Sequence, residues 1–501
     1  MEIEYTNERC PFIEKFLIQN ELEIDNLQSF TPCIDQKVDT KVTKWTSIQL
    51  EKRIFKVTSR KDYRGIIKDS HKKEYETHFH IKCTPILEPS CLCRNEYTSF
   101  LYHHWLPTHN KNKFVNLFHK VNNNRNSAYI DTLCSIFLNK LSCLNYTPHF
   151  GEIYGVYSGI MTDYEEEITE DYESLKAERW FNKILNSGKY RVKTVSDKNN
   201  KILKKKLSSS ELCDLDKYAI EIPKHSIPMK QDIDEDAKQY LIHPKIPVQI
   251  VFMQKFDNTF DHYVKQYIEE IRNTHNKYVQ HIRKKLLMNK MTSWIFQITA
   301  GLCCANTHLD FVHNDLHVQN VMGIPTNQEY LYYNQNGIIY KVPTYGYIMK
   351  IIDFGRSTYV VNGKYYIGDV FDEDGEAGGQ YTVHPLHKSS LTSQETINPN
   401  PSFDLARFSC SFIEDLDDEL WPTENDLNDY EIGRLLNAWT INDVGESLMD
   451  IEGFELYINI ARFFRKKTPE SQIKEEVFKK YRIFDAIPDF ARDSTLNIYL
   501  I

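Results

Sequence analysis

The stretch Phe311-Val-His313-Asn314-Asp315-Leu-His317-Val-Gln-Asn320, followed downstream by Ile351-Ile-Asp353-Phe-Gly355, decides how this chain is read. It sets a carboxylate, a neutral amide five residues on, and a second carboxylate just ahead of Phe-Gly. Phosphoryl transfer needs an acceptor hydroxyl held in line and negative charge neutralised on the β- and γ-phosphates. Asp315 is suited to orient that hydroxyl and accept its proton. Asn320 and Asp353 offer hard oxygen atoms to Mg2+, which takes few protein ligands and completes its shell with phosphates and waters. A competing metal cluster at His313, Asp315 and His317 lacks a distant fourth ligand.

The two segments fit the patterns H-x-D-L-x-x-x-N and D-F-G. Over roughly residues 60–420 the chain resembles the eukaryotic-type protein kinase superfamily, and within it the haspin-like branch. That branch also carries a histidine two residues after the catalytic aspartate, as His317 stands here, and a hairpin between the two motifs. Asp353 follows Asn320 by 33 positions, and the intervening Tyr330-Leu-Tyr-Tyr-Asn-Gln-Asn336-Gly337-Ile-Ile-Tyr340 has an Asn-Gly turn between alternating apolar residues. Asn400-Pro-Ser-Phe-Asp404-Leu-Ala-Arg and the Asn-, Ile-, Lys- and Tyr-rich composition also resemble kinase-like proteins of giant DNA viruses.

The resemblance implies an α+β, bilobal protein-kinase-like fold with a strand-rich N-lobe and a helical C-lobe. It also implies ATP and Mg2+ as cofactors. Asp315 takes the place of the catalytic base, and Asn320 and Asp353 those of the metal ligands. Lys82, in Phe79-His-Ile-Lys82, resembles the lysine that holds the α- and β-phosphates. Its usual helix partner, a glutamate, is missing. Between Glu96 and Glu152 the one acid is Asp131, a methylene shorter, so a direct pair would need the helix to sit closer. Arg60, Asp62 and Gly65 stand where a glycine-rich loop has glycines, with Ile67 at the usual valine, so the cover over the nucleotide is weakened. Gln254, Lys255 and Phe256 resemble the hinge that reads adenine through its backbone. Asp404 resembles the aspartate that braces the catalytic loop, or alternatively caps a helix. Asn314 replaces the arginine that pairs with a phosphorylated activation segment, so switching through Ser389, Ser390, Thr392 or Ser393 is expected to be weak. His317 replaces a lysine and brings less positive charge.

Outward from the motifs, Tyr75-Glu-Thr-His-Phe79-His-Ile81-Lys-Cys alternates as a strand does. Ile130, Leu133, Phe137, Leu138, Leu141 and Leu144 have helical spacing over about 127–145, and Ile246-Pro-Val-Gln-Ile-Val-Phe-Met253 reads as a buried strand. Helices dominate after Phe260, and this order favours α+β over an alternating α/β sheet. An acidic run at Asp163-Tyr-Glu-Glu-Glu167, a basic run at 201–206 and serines 208–210 suggest an inserted, solvated segment. The expected division is a 1–55 N-terminal extension, a 56–253 N-lobe interrupted at about 162–245, and a 254–501 C-lobe with a hairpin insertion at about 326–346.

The chain has 501 residues, 41% hydrophobic, and 61 basic against 70 acidic side chains for a net charge of −9. That balance argues against a general DNA or RNA binder. No run of eighteen apolar residues occurs and the N-terminus lacks a secretory layout, so no membrane span and an intracellular setting (cytoplasmic, host cell or virion) are expected. The eleven cysteines contain no C-x-x-C pair and read as reduced thiols. The leading function is transfer of the γ-phosphate to Ser/Thr hydroxyls of a protein substrate. Open beside it are a small-molecule phosphotransferase and a pseudokinase scaffold. The oligomeric state is left open.

Overall fold

Alternation from Glu74 to Pro85 builds a strand whose two faces do different work, and the architecture grows around it. The computed structural model describes residues 5–7, 18, 22–29, 31–32, 46–48, 50–59, 63–97, 101–108, 114–195, 237–381, 397–417, 427–483 and 498–501. The main sheet takes β1 (Ile24–Gln28), β2 (Lys52–Ser59), β3 (Arg64–Asp69), β4 (Glu74–Pro85), β5 (Ile153–Glu167), β6 (Arg191–Val195) and β7 (Lys238–Gln254). Their order is β1-β5-β7-β4-β3-β2, with β6 also on β7, and every pair is antiparallel. β7 is central and buried through most of its length, which is why Ile246 to Met253 reads as an apolar run without clean alternation.

Period two along β4 puts Phe79 on one face and His80 and Lys82 on the other. Phe79 shares the main core with Ile54, Val57 and Ile67, and its ring centroid lies 5.5 Å from that of Phe252. The opposite face of β7 carries Val251 and Met253, the register partners of Lys82 and His80, in a cluster with Ile136, Ile153, Val156 and Phe256. Ile67 therefore lies on the side away from Lys82. The residue sharing the Lys82 face is Ile66, which pairs with Glu76. Gly65 is explained by packing: a Cβ there would stand 2.7 Å from both the Lys56 carbonyl oxygen and Phe79 Cε1. Gly65→Ala is expected to lose about 1–3 kcal/mol of stability, read from denaturant midpoints. An unchanged midpoint would mean that β2 and Phe79 give way freely.

The acidic run at 163–167 keeps its carboxylates largely exposed, as a solvated stretch would, but it is strand and not loop. It continues β5 and pairs with Tyr240–His243 of β7, where Lys193, Lys238 and His243 supply partners for Glu165, Glu167 and Glu166. The basic run at 201–206 and the serines at 208–210 lie outside the described residues.

Helix α1 (Ser127–Cys143) starts at Asn126, whose side chain accepts from the Ala128 N–H and donates to the Ile86 carbonyl. It is buried nearly all round, as a helix within a core must be. After the sheet come α2 (Phe260–Arg272) and α3 (Lys277–Leu309), the latter ending at Asp310 in the left-handed region with φ 46°. The chain then forms β8 (Val321–Pro325), β9 (Tyr330–Gln335), β10 (Ile338–Pro343) and β11 (Tyr347–Ile351), and later α4 (Ser402–Asp417), α5 (Glu431–Trp439) and α6 (Phe454–Phe463). The architecture is α+β: an antiparallel sheet formed mainly early in the chain, and helices mainly later.

β9 and β10 pair as a hairpin turning at Asn336 and Gly337, both at positive φ (50° and 89°), as a two-residue turn of the I′ kind requires. Tyr333 and Tyr340 of the hairpin are fully buried against Phe296 of α3. The Tyr333 hydroxyl meets His149 Nε2 at 2.9 Å, and His149 Nδ1 meets the Met349 carbonyl of β11 at 2.8 Å. Burial pushes His149 down to about 3, so the ring is neutral and joins the hairpin to the strand that leads into Asp353. Among the described residues, Cys91, Cys93, Cys134, Cys303, Cys304 and Cys410 are buried free thiols. No described helix is long and apolar enough to cross a membrane.

Candidate active site

Antiparallel pairing of β8 with β11, Val321 opposite Ile351, closes the long sequence gap between the two motifs. The residue before β8 is Asn320 and those after β11 are Ile352 and Asp353, so the pairing sets them side by side. The Ile352 N–H donates to the Asn320 carbonyl at 3.0 Å. Asp353 stands at φ 66°, a left-handed conformation that costs a branched carboxylate residue energy and is held by its surroundings.

Lys82 reaches from β4 to both acids: Nζ is 2.6 Å from Asp131 Oδ2 and 2.9 Å from Asp353 Oδ1. Asp131 projects from α1 and is 2% exposed, and its other oxygen accepts the Phe354 N–H at 2.9 Å. The pair with Lys82 is direct, without an intervening water. Burial alone would depress the Lys82 ammonium, but Asp131 and Asp353 outweigh it and hold it above its ordinary value. The Lys82 charge in turn pulls Asp353 far below the usual carboxylate range. At neutral pH the site thus holds one cation and a fixed anion at Asp353, whose side chain is 53% exposed.

The loop carrying Asp315 is pinned from below. Asp404 of α4 is 1% exposed and accepts the His313 and Asn314 N–H groups at 2.9 Å each. Burial raises its carboxyl, and although those two amides oppose the rise it stands pushed up to about 7. Both bonds go to the loop, so the bracing reading of Asp404 holds and the helix-cap alternative falls. His313 Nε2 meets the Ile352 carbonyl at 2.9 Å and Nδ1 accepts the Asp315 N–H at 3.3 Å, a pattern only the neutral Nε2–H tautomer satisfies. With both nitrogens occupied, His313 is no metal ligand. Asn320 Nδ2 donates to the Asp315 carbonyl at 2.9 Å, which leaves its amide oxygen for another partner. Asn314, at φ 65°, donates to the Val312 and Arg356 carbonyls and accepts from the Tyr381 hydroxyl. Neutral bonds therefore tie down the segment after Asp353, where an arginine would have needed an added phosphate.

Sequence reasoning missed three side chains. Tyr457 of α6 donates its hydroxyl to Asp315 Oδ1 at 2.6 Å, and Arg356 Nη1 lies 4.0 Å from the same oxygen. Arg407 of α4 donates from Nε to the Tyr457 hydroxyl at 3.0 Å. Arg356 stands directly after the D-F-G motif, a positional signal available in the sequence. Tyr457 belongs to no motif, and Arg407 ends the Asn400–Arg407 stretch, which by itself points to no contact with Tyr457. His317 is partly buried and its imidazole is pushed down by that burial, so the positive charge near Asp315 comes from Arg356 and Arg407.

The remaining expected positions are spread more loosely. The Gln254 N–H donates to the Glu152 carbonyl at 2.8 Å and is used within the sheet. The Phe256 side chain is buried against Gly151, and Lys255 is exposed with its ammonium 5.5 Å from the Tyr63 ring centroid. Gly65 faces Phe79 and not Lys82. Arg60, Asp62, Ser389, Ser390, Thr392 and Ser393 lie outside the described residues. Among the described residues no group of three or more His, Cys, Asp or Glu is disposed to hold a metal by itself. Asn320 and Asp353 together suit a Mg2+ ion that draws its other ligands from phosphate and water.

No family model matches the chain. It is similar to serine/threonine-protein kinase haspin of Mus musculus, 36% identical over 98 residues, which are 19% of this chain and 13% of that protein. Against haspin of Bos taurus the figures are 34% over 113 residues, 22% of this chain and 14% of that protein. An uncharacterized protein of Caenorhabditis elegans is 33% identical over 61 residues, 12% of this chain and 21% of that protein. The chain thus matches only a small part of either haspin's length, and the likeness supports a kinase-like relationship.

Proposed function

We propose that the chain is a bilobal protein kinase that transfers the γ-phosphate of ATP to serine or threonine hydroxyls of a protein. The observation that carries this is Lys82 bridging Asp131 and Asp353, which joins the sheet, the buried helix and the D-F-G segment through one ammonium. The main sheet would form one lobe and the helices after Phe260 the other. Asp315 would take the proton of the acceptor hydroxyl as the oxygen attacks phosphorus, and the bond to the leaving ADP oxygen breaks with its electron pair. Lys82 would hold the α- and β-phosphates, and Asn320 and Asp353 would hold the cation. Bound Mg2+ supplies charge neutralisation on the phosphates.

The degenerate glycine loop favours a second reading, a scaffold that binds partners without turnover. Thermal melts with and without Mg-ATP, paired with labelled γ-phosphate transfer to protein extract, separate the two. Nucleotide at about a hundred times its dissociation constant is expected to stabilise the protein by about 2.7 kcal/mol. Asp353→Ala is expected to cut transfer by at least about a hundredfold. Stabilisation without transfer, or neither, would overturn the kinase reading and leave the scaffold.

A further inference from the structure

Asp315 is held by one oxygen only. Oδ1 accepts the Tyr457 hydroxyl at 2.6 Å and faces Arg356 Nη1 at 4.0 Å, whereas no described group hydrogen-bonds Oδ2. A general base must present a defined lone pair to the proton it takes, and its orientation is commonly set by a third group bonded to its far side. Tyr457 has the features of that third group. The Arg356 and Arg407 guanidinium groups lie 5.4 and 5.2 Å from its ring centroid. Phe403 and Phe454 pack on the same ring at 6.0 and 5.8 Å between centroids. The Arg407 Nε bond to the hydroxyl oxygen leaves the phenol proton one direction, toward Asp315. Burial raises the phenol, and the neighbouring Asp315 charge raises it further, so it stays a donor across the neutral range.

We propose that Tyr457 is a positioning residue for phosphoryl transfer: by donating to Oδ1 it turns Oδ2 of Asp315 toward the acceptor hydroxyl. The inference rests on the kinase reading above and deepens it. Arg356 adds a second restraint, and its other partner, Glu376, anchors it from the exposed side. The lysine expected two residues after Asp315 is His317, so Tyr457 and Arg356 carry the orienting role from outside the loop.

Tyr457→Phe deletes one oxygen and keeps the ring contacts, so the melting temperature and nucleotide KM are expected to hold. kcat for protein phosphorylation should fall about tenfold, within the range for a mispositioned base. A kcat that falls while the nucleotide KM and the melting temperature hold is the signature of a mispositioned base and not of a damaged fold. Arg407→Lys, which loses the Nε donor but keeps the charge, should lower kcat in the same direction and by less, again with nucleotide KM unchanged. A wild type that transfers phosphate alongside a Tyr457→Phe protein with unchanged kcat overturns this inference alone. A wild type with no transfer to any acceptor overturns the kinase reading together with it.

Discussion

Asp315→Asn protein is expected to transfer phosphate at least about a thousandfold more slowly than the parent while binding Mg-ATP with unchanged affinity. The asparagine keeps the shape and an oxygen at the Oδ1 position, so the Tyr457 hydroxyl still has an acceptor. Arg356 retains Glu376, and the loop retains its two bonds to Asp404. Nothing that carries the fold is removed, and the melting temperature should stay close to the parent's. What is lost is the basic lone pair. Of the contacts attributed to nucleotide binding, Lys82 and Asp353 lie on other segments, and Asn320 bonds the Asp315 backbone carbonyl, which the substitution leaves in place. Single-turnover transfer and an isothermal titration with Mg-ATP read the two quantities separately. Parent-like transfer by this variant would show that Asp315 is not the base, whatever else the site does.

The sequence made the chemistry of the two motifs legible because each is local: a loop and a strand end whose residue types state their use. It also made the α+β class legible, since the helical spacing over α1 and the unbroken apolar run of β7 are strong signals followed by a helix-rich remainder. Asp131 was legible by elimination as the one acid in its window, but not its reach. The direct bond to Lys82 depends on how closely α1 approaches the sheet, and that follows from burial of nearly every α1 side chain. Ile66 and Ile67 were indistinguishable without a register, and the register shifts between β2 and β3 are set by tertiary packing. Gly65 looked like a phosphate-loop glycine, and its explanation lies in Phe79, fourteen residues away along the chain. The strand pairing of the acid run at 163–167 was hidden because its partners, Lys193, Lys238 and His243, are distant in sequence and meet it only across strands. Tyr457 was invisible for the same reason: a tyrosine on an amphipathic helix carries no mark of the carboxylate it touches 142 positions earlier.

Asp131 decides how much of this site is held by fold and how much by charge, and Asp131→Ala is expected to damage both. The substitution strips Lys82 of its 2.6 Å partner and leaves the Phe354 N–H without its acceptor in a buried setting. Breaking a buried ion pair from one side costs about 3–5 kcal/mol. Lys82 keeps Asp353 and is 26% exposed, so the loss should be lower, about 2–3 kcal/mol with the orphaned amide included. Transfer should fall at least about a hundredfold, because Lys82 is then free to collapse onto Asp353 and the D-F-G backbone loses its anchor. Asp131→Glu discriminates between charge and geometry. It restores the carboxylate with the side-chain length usual at this place in kinases, yet adds a methylene where α1 already stands within direct reach of Lys82. Forcing it in is expected to cost about 1–3 kcal/mol and to displace the acceptor of the Phe354 N–H, so activity should stay well below the parent's. Denaturant midpoints and transfer rates for the two variants test this together. Full rescue by glutamate would mean that the helix has room to retreat, and that the aspartate follows from charge alone rather than from the close packing of α1 against the sheet.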